Sequence, residues 1–377
     1  VTAIVAGVAV IAAVGTYGVK LHADRPQPIS VRVAIDGQSI RYQLQEGDDV
    51  ADALAVSGAT SHDGKLFSAK THRVLEPTLH PATVMIGGRA VAGSTRLTVG
   101  DELSVTDGKD EVEPTKQIDE AIPPPPMELV LTHVTERGVP GILRKVVGVR
   151  SGEVVSDSVV RAPTAPKRTT QKVVALTFDD GPLAAWTPVI LKILADKGVK
   201  ATFCEIGNQV RTGASLSRAV LAGGHQLCNH TVDHDERLNK ATQAHIDDEI
   251  GGGAKMQIDA GFGAPAYYRP PGGTLSDAIK ATARANNEQT LYWKVDTNDW
   301  RKTATLASVM AAVTSEADPG AIILMHDGGG NRSLTATALP MIIDLLRVQG
   351  YSFAFPVIDA PSAPSPVAVS PVSAPAP

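Results

Sequence analysis

Between residues 171 and 357, short apolar runs alternate with helical stretches, and this rhythm limits the chain to few folds. Val173–Phe178, Lys200–Cys204, His225–Cys228, Tyr267-Tyr268, Thr290–Trp293, Ala321–Met325 and Tyr351–Phe355 read as strands. Residues 184–197, 214–222, 275–286, 304–317 and 335–349 read as the helices between them. Repeated βα units predict a parallel sheet covered by helices, and about seven of them predict an α/β fold of the deformed (β/α) barrel type. In such a barrel the carboxyl ends of all strands meet on one face, so polar residues at strand ends share a site.

Five polar clusters occupy those ends. Val173-Val174-Ala175-Leu176 leads through Thr177-Phe178 into Asp179-Asp180-Gly181-Pro182. Adjacent carboxylates at a strand end can form a turn or cap a helix, or they can be kept ionised by a cation. His230-Thr231-Val232-Asp233-His234 follows the third strand. Two histidines four apart share a face if the segment is helical, which suits two nitrogen ligands to one metal. One carboxylate and two imidazoles leave open positions for water, the layout of a catalytic metal site. Arg269-Pro270-Pro271-Gly272-Gly273, Asp296-Thr297-Asn298-Asp299-Trp300 and His326-Asp327 complete the set. Singly, each reads as a proline turn, a capped loop or a solvated strand end; together they point to a catalytic face.

These motifs resemble the polysaccharide deacetylases, the family 4 carbohydrate esterases, and most of all a peptidoglycan N-acetylglucosamine deacetylase of an actinobacterial type. TFDDGP at 177–182, HTVDH at 230–234, RPPGG at 269–273, DTNDW at 296–300 and LMH at 324–326 stand in the family's order. The resemblance covers residues 171–357 and implies a divalent metal, zinc first, with cobalt or another divalent ion as alternatives. It implies Asp180, His230 and His234 as metal ligands and Asp179 as general base toward the attacking water, held by Arg269. It implies His326 as general acid, held and charged by Asp296. Leu324 and Trp300 would shape the slot for the acetyl methyl, and the Gly272 N–H would face the oxyanion. Gly272 itself departs from the pattern, since many members carry an aromatic residue there; the sugar preference is thereby left open.

The remaining chain reads as surroundings for such an enzyme. Residues 1–19 carry no charge, enough for a signal anchor or a cleaved signal peptide, and either exports the remainder. Residues 30–107 read as a small β-rich domain, similar in its strand, turn, strand, helix order to ubiquitin-like domains of actinobacterial cell-wall proteins. Residues 108–126 are a linker ending in four prolines, and 127–163 resemble the five-glycine surface module of wall-active enzymes. Residues 358–377 read as a disordered Pro/Ala/Ser tail. The acid-rich stretch Asp247-Asp248-Glu249 reads as a solvated helix face.

A net charge of −5 without a basic stripe argues against nucleic acid as a partner. The expected setting is extracytoplasmic and cell-wall associated, membrane-anchored through the N-terminal segment or secreted, as a monomer. Cys204 and Cys228 are too few for a disulfide scaffold or a zinc-thiolate site. Export permits a bond between them, and neighbouring parallel strands often have unsuitable Cβ vectors, so a disulfide and two buried thiols both stay open. The expected reaction removes N-acetyl groups from N-acetylglucosamine units of a wall polymer, peptidoglycan first. Chitin oligomers, acetylated xylan or an exopolysaccharide are alternatives, and a non-catalytic wall-binding protein is a competing class.

Overall fold

The computed structural model describes residues 27–360 except Asp36 and residues 128–129. The apolar segment 1–19 and residues 361–377 lie outside the described residues, and so do the readings made on them. Among the described residues no helix is long and apolar enough to cross a membrane. Contacts divide the chain into two units. One holds residues up to Ile118 together with Arg144–Ser158; the other holds Asp119–Leu143 and everything from Val159.

In the first unit the alternating run Pro28–Ile35 pairs antiparallel with Gln38–Gln45 and parallel with Glu102–Thr106. The sheet order is Gln38–Gln45, Pro28–Ile35, Glu102–Thr106, Thr83–Ile86, Arg89–Ala90. Period-two alternation buries Ile29, Val31 and Val33 against Val50 and Ala53 of the helix Val50–Ser57. Asp49 and Asp52 cap that helix reciprocally, and Gly58 ends it in the left-handed region.

In the second unit nine strands form one sheet. Its order is Val130–Leu131, Gln289–Leu291, Tyr267–Tyr268, Gln226–Asn229, Thr202–Glu205, Val173–Gly181, Ile322–His326, Val295–Asp296, with Ser352–Phe353 also pairing Val173–Gly181. Every pairing is parallel. The central strand Val173–Gly181 is buried on both faces, as its unbroken apolar run requires. Phe178, Phe203 and Met325 pack outward on Ile190, Leu194 and Ile342 of the helices. Ala175, Cys204, Cys228, Leu291 and Ile322 fill the interior. The deformed (β/α) barrel is the architecture observed.

Some boundaries differ from the reading of the sequence. Residues 127–163 are not a separate body, because their first part completes the barrel. Val130–Leu131 pairs with Gln289–Leu291, and the following residues bond to the start of the strand Ile322–His326, Ile322 N–H to Thr132 O and Val134 N–H to Gly320 O. The C-terminal tail starts later than residue 358, since Val357–Ile358 pairs with Thr135–Glu136. The helix expected at 214–222 begins at Gly207, because Gly213 leaves helical geometry inside it and hides its first turns. The 247–249 stretch does lie on a helix, Gln243–Asp259, but Glu249 is buried on it rather than solvated.

Candidate active site and metal centre

Adjacent residues on a regular strand point to opposite faces. Asp179 and Asp180 escape this because the pairing register shifts between Asp179 and Gly181 and Asp180 takes a φ of +71°. Both carboxylates therefore line one cavity of 510 Å³. The His230–His234 segment is not helical, which corrects the helical basis for pairing its imidazoles. It is a turn in which Thr231 has φ +65° and His234 φ +70°. The turn brings the two rings within 4.9 Å of each other at 65°.

Asp180 Oδ1 lies 3.5 Å from His230 Nε2 and 3.2 Å from His234 Nε2. One donor atom from each of the three residues falls within a 4.8 Å cluster. His230 Nδ1–H donates to the Arg269 carbonyl at 2.8 Å, so the lone pair sits on Nε2, facing Asp180. Burial would raise the Asp180 pKa, but the imidazoles around it hold it below the usual carboxylate range. His234 is held below its ordinary value chiefly by burial, which favours the neutral, ligating form. An ionised carboxylate oxygen and two imidazole nitrogens, with tautomer fixed in one, fit a divalent ion of the zinc type.

Asp179, 3% exposed, accepts a hydrogen bond from Arg269 Nη1 at 2.7 Å. Arg269 is fully buried and is also anchored to Thr177 Oγ1 and to the carbonyls of Leu291 and Tyr292. Its orientation is therefore set by backbone on the far side of the barrel. Arg332 comes to 3.8 Å from Asp180 Oδ2 on the other flank.

His326 ends the strand Ile322–His326, and its partner corrects the expectation. Asp299, not Asp296, accepts from His326 Nδ1 at 2.7 Å. Asn298, at φ +53°, turns the chain after Asp296, so that Asp299 points back at the imidazole. Asp299 also accepts from the His326 backbone N–H at 2.9 Å and from Thr335 Oγ1 at 2.6 Å. Burial opposes protonation of His326, and the Asp299 carboxylate outweighs it, so its pKa lies above the ordinary value. Asp296 instead accepts the Asn298 N–H at 2.8 Å and lines the cavity; burial raises its pKa.

Gly272, Trp300 and Leu324 all line the same cavity. Gly272 has φ +58°, and a Cβ there would come to 3.3 Å from Glu236, which lines the rim at that point. Cys204 and Cys228 lie opposite each other on paired strands, Cα atoms 4.1 Å apart, joined as a disulfide.

Several residues with a part here were not assigned one from the sequence. Asp299 was inside a recognised motif, but spacing alone does not say which of its acids turns back. Trp293, stacked on Tyr292 with centroids 4.2 Å apart, also lines the cavity. Asp327 and Glu205 are buried acids behind the site, bonded to Thr187 and Ser217 respectively. Burial pushes Glu205 up to about 8 and Asp327 up to about 7. A glutamate inside the otherwise apolar end of a buried strand was the available signal for the first of these.

A parallel barrel with a carboxylate, two imidazoles, an arginine-held acid and an aspartate-held histidine on one face has the make-up of a metal-dependent hydrolase. A model of the polysaccharide deacetylase family matches residues 166–290. The chain is 37% identical over 185 residues to a peptidoglycan-N-acetylglucosamine deacetylase of Bacillus cereus, covering 48% of this chain and 85% of that protein. It is 33% identical over 193 residues to a chitooligosaccharide deacetylase of Bradyrhizobium, covering 47% and 86%. A Listeria monocytogenes peptidoglycan-N-acetylglucosamine deacetylase is 36% identical over 196 residues, and there the chain spans only 40% of the relative. A family 4 carbohydrate esterase from Streptomyces lividans, solved with acetate, is 30% identical, with a TM-score of 0.46 and coverage of 50% and 94%. The chain belongs to the polysaccharide deacetylases, hydrolases that cleave acetyl groups from carbohydrate.

Proposed function

We propose that this chain removes N-acetyl groups from N-acetylglucosamine residues of peptidoglycan, with zinc held by Asp180, His230 and His234. The observation that carries the reading is that all the required groups converge on one 510 Å³ cavity. When bound, the metal supplies Lewis acidity toward the acetamide carbonyl and the attacking water. Asp179, fixed by Arg269, takes the proton of that water. The Gly272 N–H is the chain's donor toward the developing oxyanion. His326, charged by Asp299, gives its proton to the departing amine. Trp300 and Leu324 hold the acetyl methyl and exclude water from it.

Peptidoglycan is favoured by the Bacillus and Listeria relatives, and an extracytoplasmic setting by the Cys204–Cys228 bond, which persists in oxidising compartments. In this reading residues 1–19 anchor or export a monomeric enzyme, and residues 30–107 form a ubiquitin-like wall module. The five-strand order, with parallel first and last strands, supports that assignment. The test is acetate release from peptidoglycan, chitooligosaccharides and acetylated xylan by the zinc- or cobalt-loaded protein. Release from chitooligosaccharides alone would move the substrate to that class. Release from none would sink the proposal.

A further inference from the structure

The His230–His234 turn has no regular secondary structure, yet most of its polar backbone groups are held from outside. The His230 N–H donates to Glu205 O at 3.1 Å and the Thr231 N–H to Asn229 Oδ1 at 3.1 Å. The carbonyls of Thr231 and Val232 accept from the N–H groups of Gly207 and Asn208. The Asp233 N–H donates to Glu249 Oε2 at 3.2 Å, and the His234 N–H to Thr231 Oγ1 at 3.0 Å. Asn229, fully buried, is fixed by its own amide, which donates to Ile250 O at 2.8 Å and to the buried Glu288 at 3.0 Å.

Glu249 and Ile250 belong to the helix Gln243–Asp259, which continues through Gly251, Gly252 and Gly253. Each glycine in a helix interior costs roughly 1 kcal/mol relative to alanine. Two of the three have a steric reason to be glycine. A Cβ on Gly253 would overlap Asn229 Oδ1 and come within 2.9 Å of the Thr231 carbonyl. One on Gly252 would lie 2.7 Å from Val232 Cγ2. A Cβ on Gly251 meets only Asn286, at 3.7 Å, which is ordinary contact.

We propose that Asn229 and Glu249 are positioning residues for the metal site. They clamp the His230–His234 turn against the bare backbone of the helix, so that both imidazoles are set before an ion arrives. The inference rests on the reading of Asp180, His230 and His234 as the ligands. Groups that orient metal-binding side chains from behind are worth about 10- to 100-fold in affinity.

The experiment titrates apoprotein with Co²⁺ and follows the visible absorption of the bound ion, with the apoprotein's melting temperature measured alongside. Glu249→Met, Asn229→Ala and Gly253→Ala are expected to bind Co²⁺ about 10- to 100-fold more weakly. Gly251→Ala is expected to stay within about twofold, since its Cβ has room. A role confined to fold stability would lower the apoprotein's melting temperature and leave the folded protein's Co²⁺ affinity unchanged; that result overturns the proposal. If Asn229→Ala or Gly253→Ala fails to fold, Glu249→Met and Thr231→Val decide by the same criterion. Wild-type protein that takes up neither Co²⁺ nor Zn²⁺ would overturn the ligand reading itself, and this inference with it.

Discussion

Replacing Asp299 by asparagine should damage turnover far more than the same change at Asp296. Three donors converge on the two Asp299 oxygens: His326 Nδ1, the His326 backbone N–H and the Thr335 hydroxyl. An asparagine offers one acceptor oxygen and one donor nitrogen, so one side must set donor against donor. The change also removes the charge that stabilises a protonated His326. A hydrogen bond to a charged group contributes roughly 1.5–3 kcal/mol, and an unsatisfied buried donor costs about 1–3 kcal/mol more. A loss near 3 kcal/mol corresponds to about a 100-fold drop in kcat. The Asp296 carboxylate accepts only the Asn298 N–H among the bonds described, and asparagine can still accept it, so Asp296→Asn should stay within roughly tenfold. The pH profile supplies a second readout. A general acid must carry its proton, so the rate falls as pH rises past its pKa. With the Asp299 charge gone the His326 pKa drops, and the alkaline limb of kcat should move to lower pH. Acetate release measured between pH 5 and 9 checks both points. An Asp299→Asn enzyme with wild-type rate and an unmoved alkaline limb, beside a crippled Asp296→Asn, would refute the assignment.

Asp179→Asn should keep metal affinity, measured by calorimetry, while acetate release falls to background; wild-type rates in that variant would remove Asp179 from the base role. Chelation should abolish turnover, and zinc or cobalt should restore it in the same sample. Glu205 is buried with a pKa of about 8, against an ordinary 4.5, so the folded protein holds a proton that the unfolded chain gives up. Stability is thus fully present below about pH 4.5 and lost as pH rises toward 8, by on the order of 4 kcal/mol. Glu205→Gln should flatten that decline in a melting-temperature series from pH 5 to 8. Reduction of Cys204–Cys228, which spans 24 residues, should cost about 3 kcal/mol in denaturant unfolding.

What could be read from the sequence follows how local its cause is. Strand runs such as Val173–Phe178 and the acids that end them are local patterns, and the barrel and its catalytic face followed from them. The choice between Asp296 and Asp299 depends on one left-handed residue, Asn298, whose conformation no periodicity reports. The histidine pair could be matched to one metal only on the condition of a helix, because four-residue spacing is the one local cue to a shared face. The true cause is tertiary: Asn229, Glu249 and the glycine-lined helix Gln243–Asp259 hold the turn. Glu249 looked solvated for the same reason, since a run of acids says nothing about which one faces inward. Residues 127–163 looked like a separate module because short alternating runs do not reveal their pairing partners, and Val130–Leu131 finds its neighbour at Gln289–Leu291.

That last pairing has a kinetic meaning. Val130 and Thr290 are on the order of 160 residues apart, and contacts of such separation are slow to form. The strand made early must wait for almost the whole repeat before it can lock the ring. Barrel closure is therefore expected late in folding, and its keystone lies upstream of the segment by which the family is recognised. A recombinant fragment trimmed to residues 166–360 would fold with a seam open. It would present the unpaired backbone of Gln289–Leu291 to other copies, and self-association would be its expected fault.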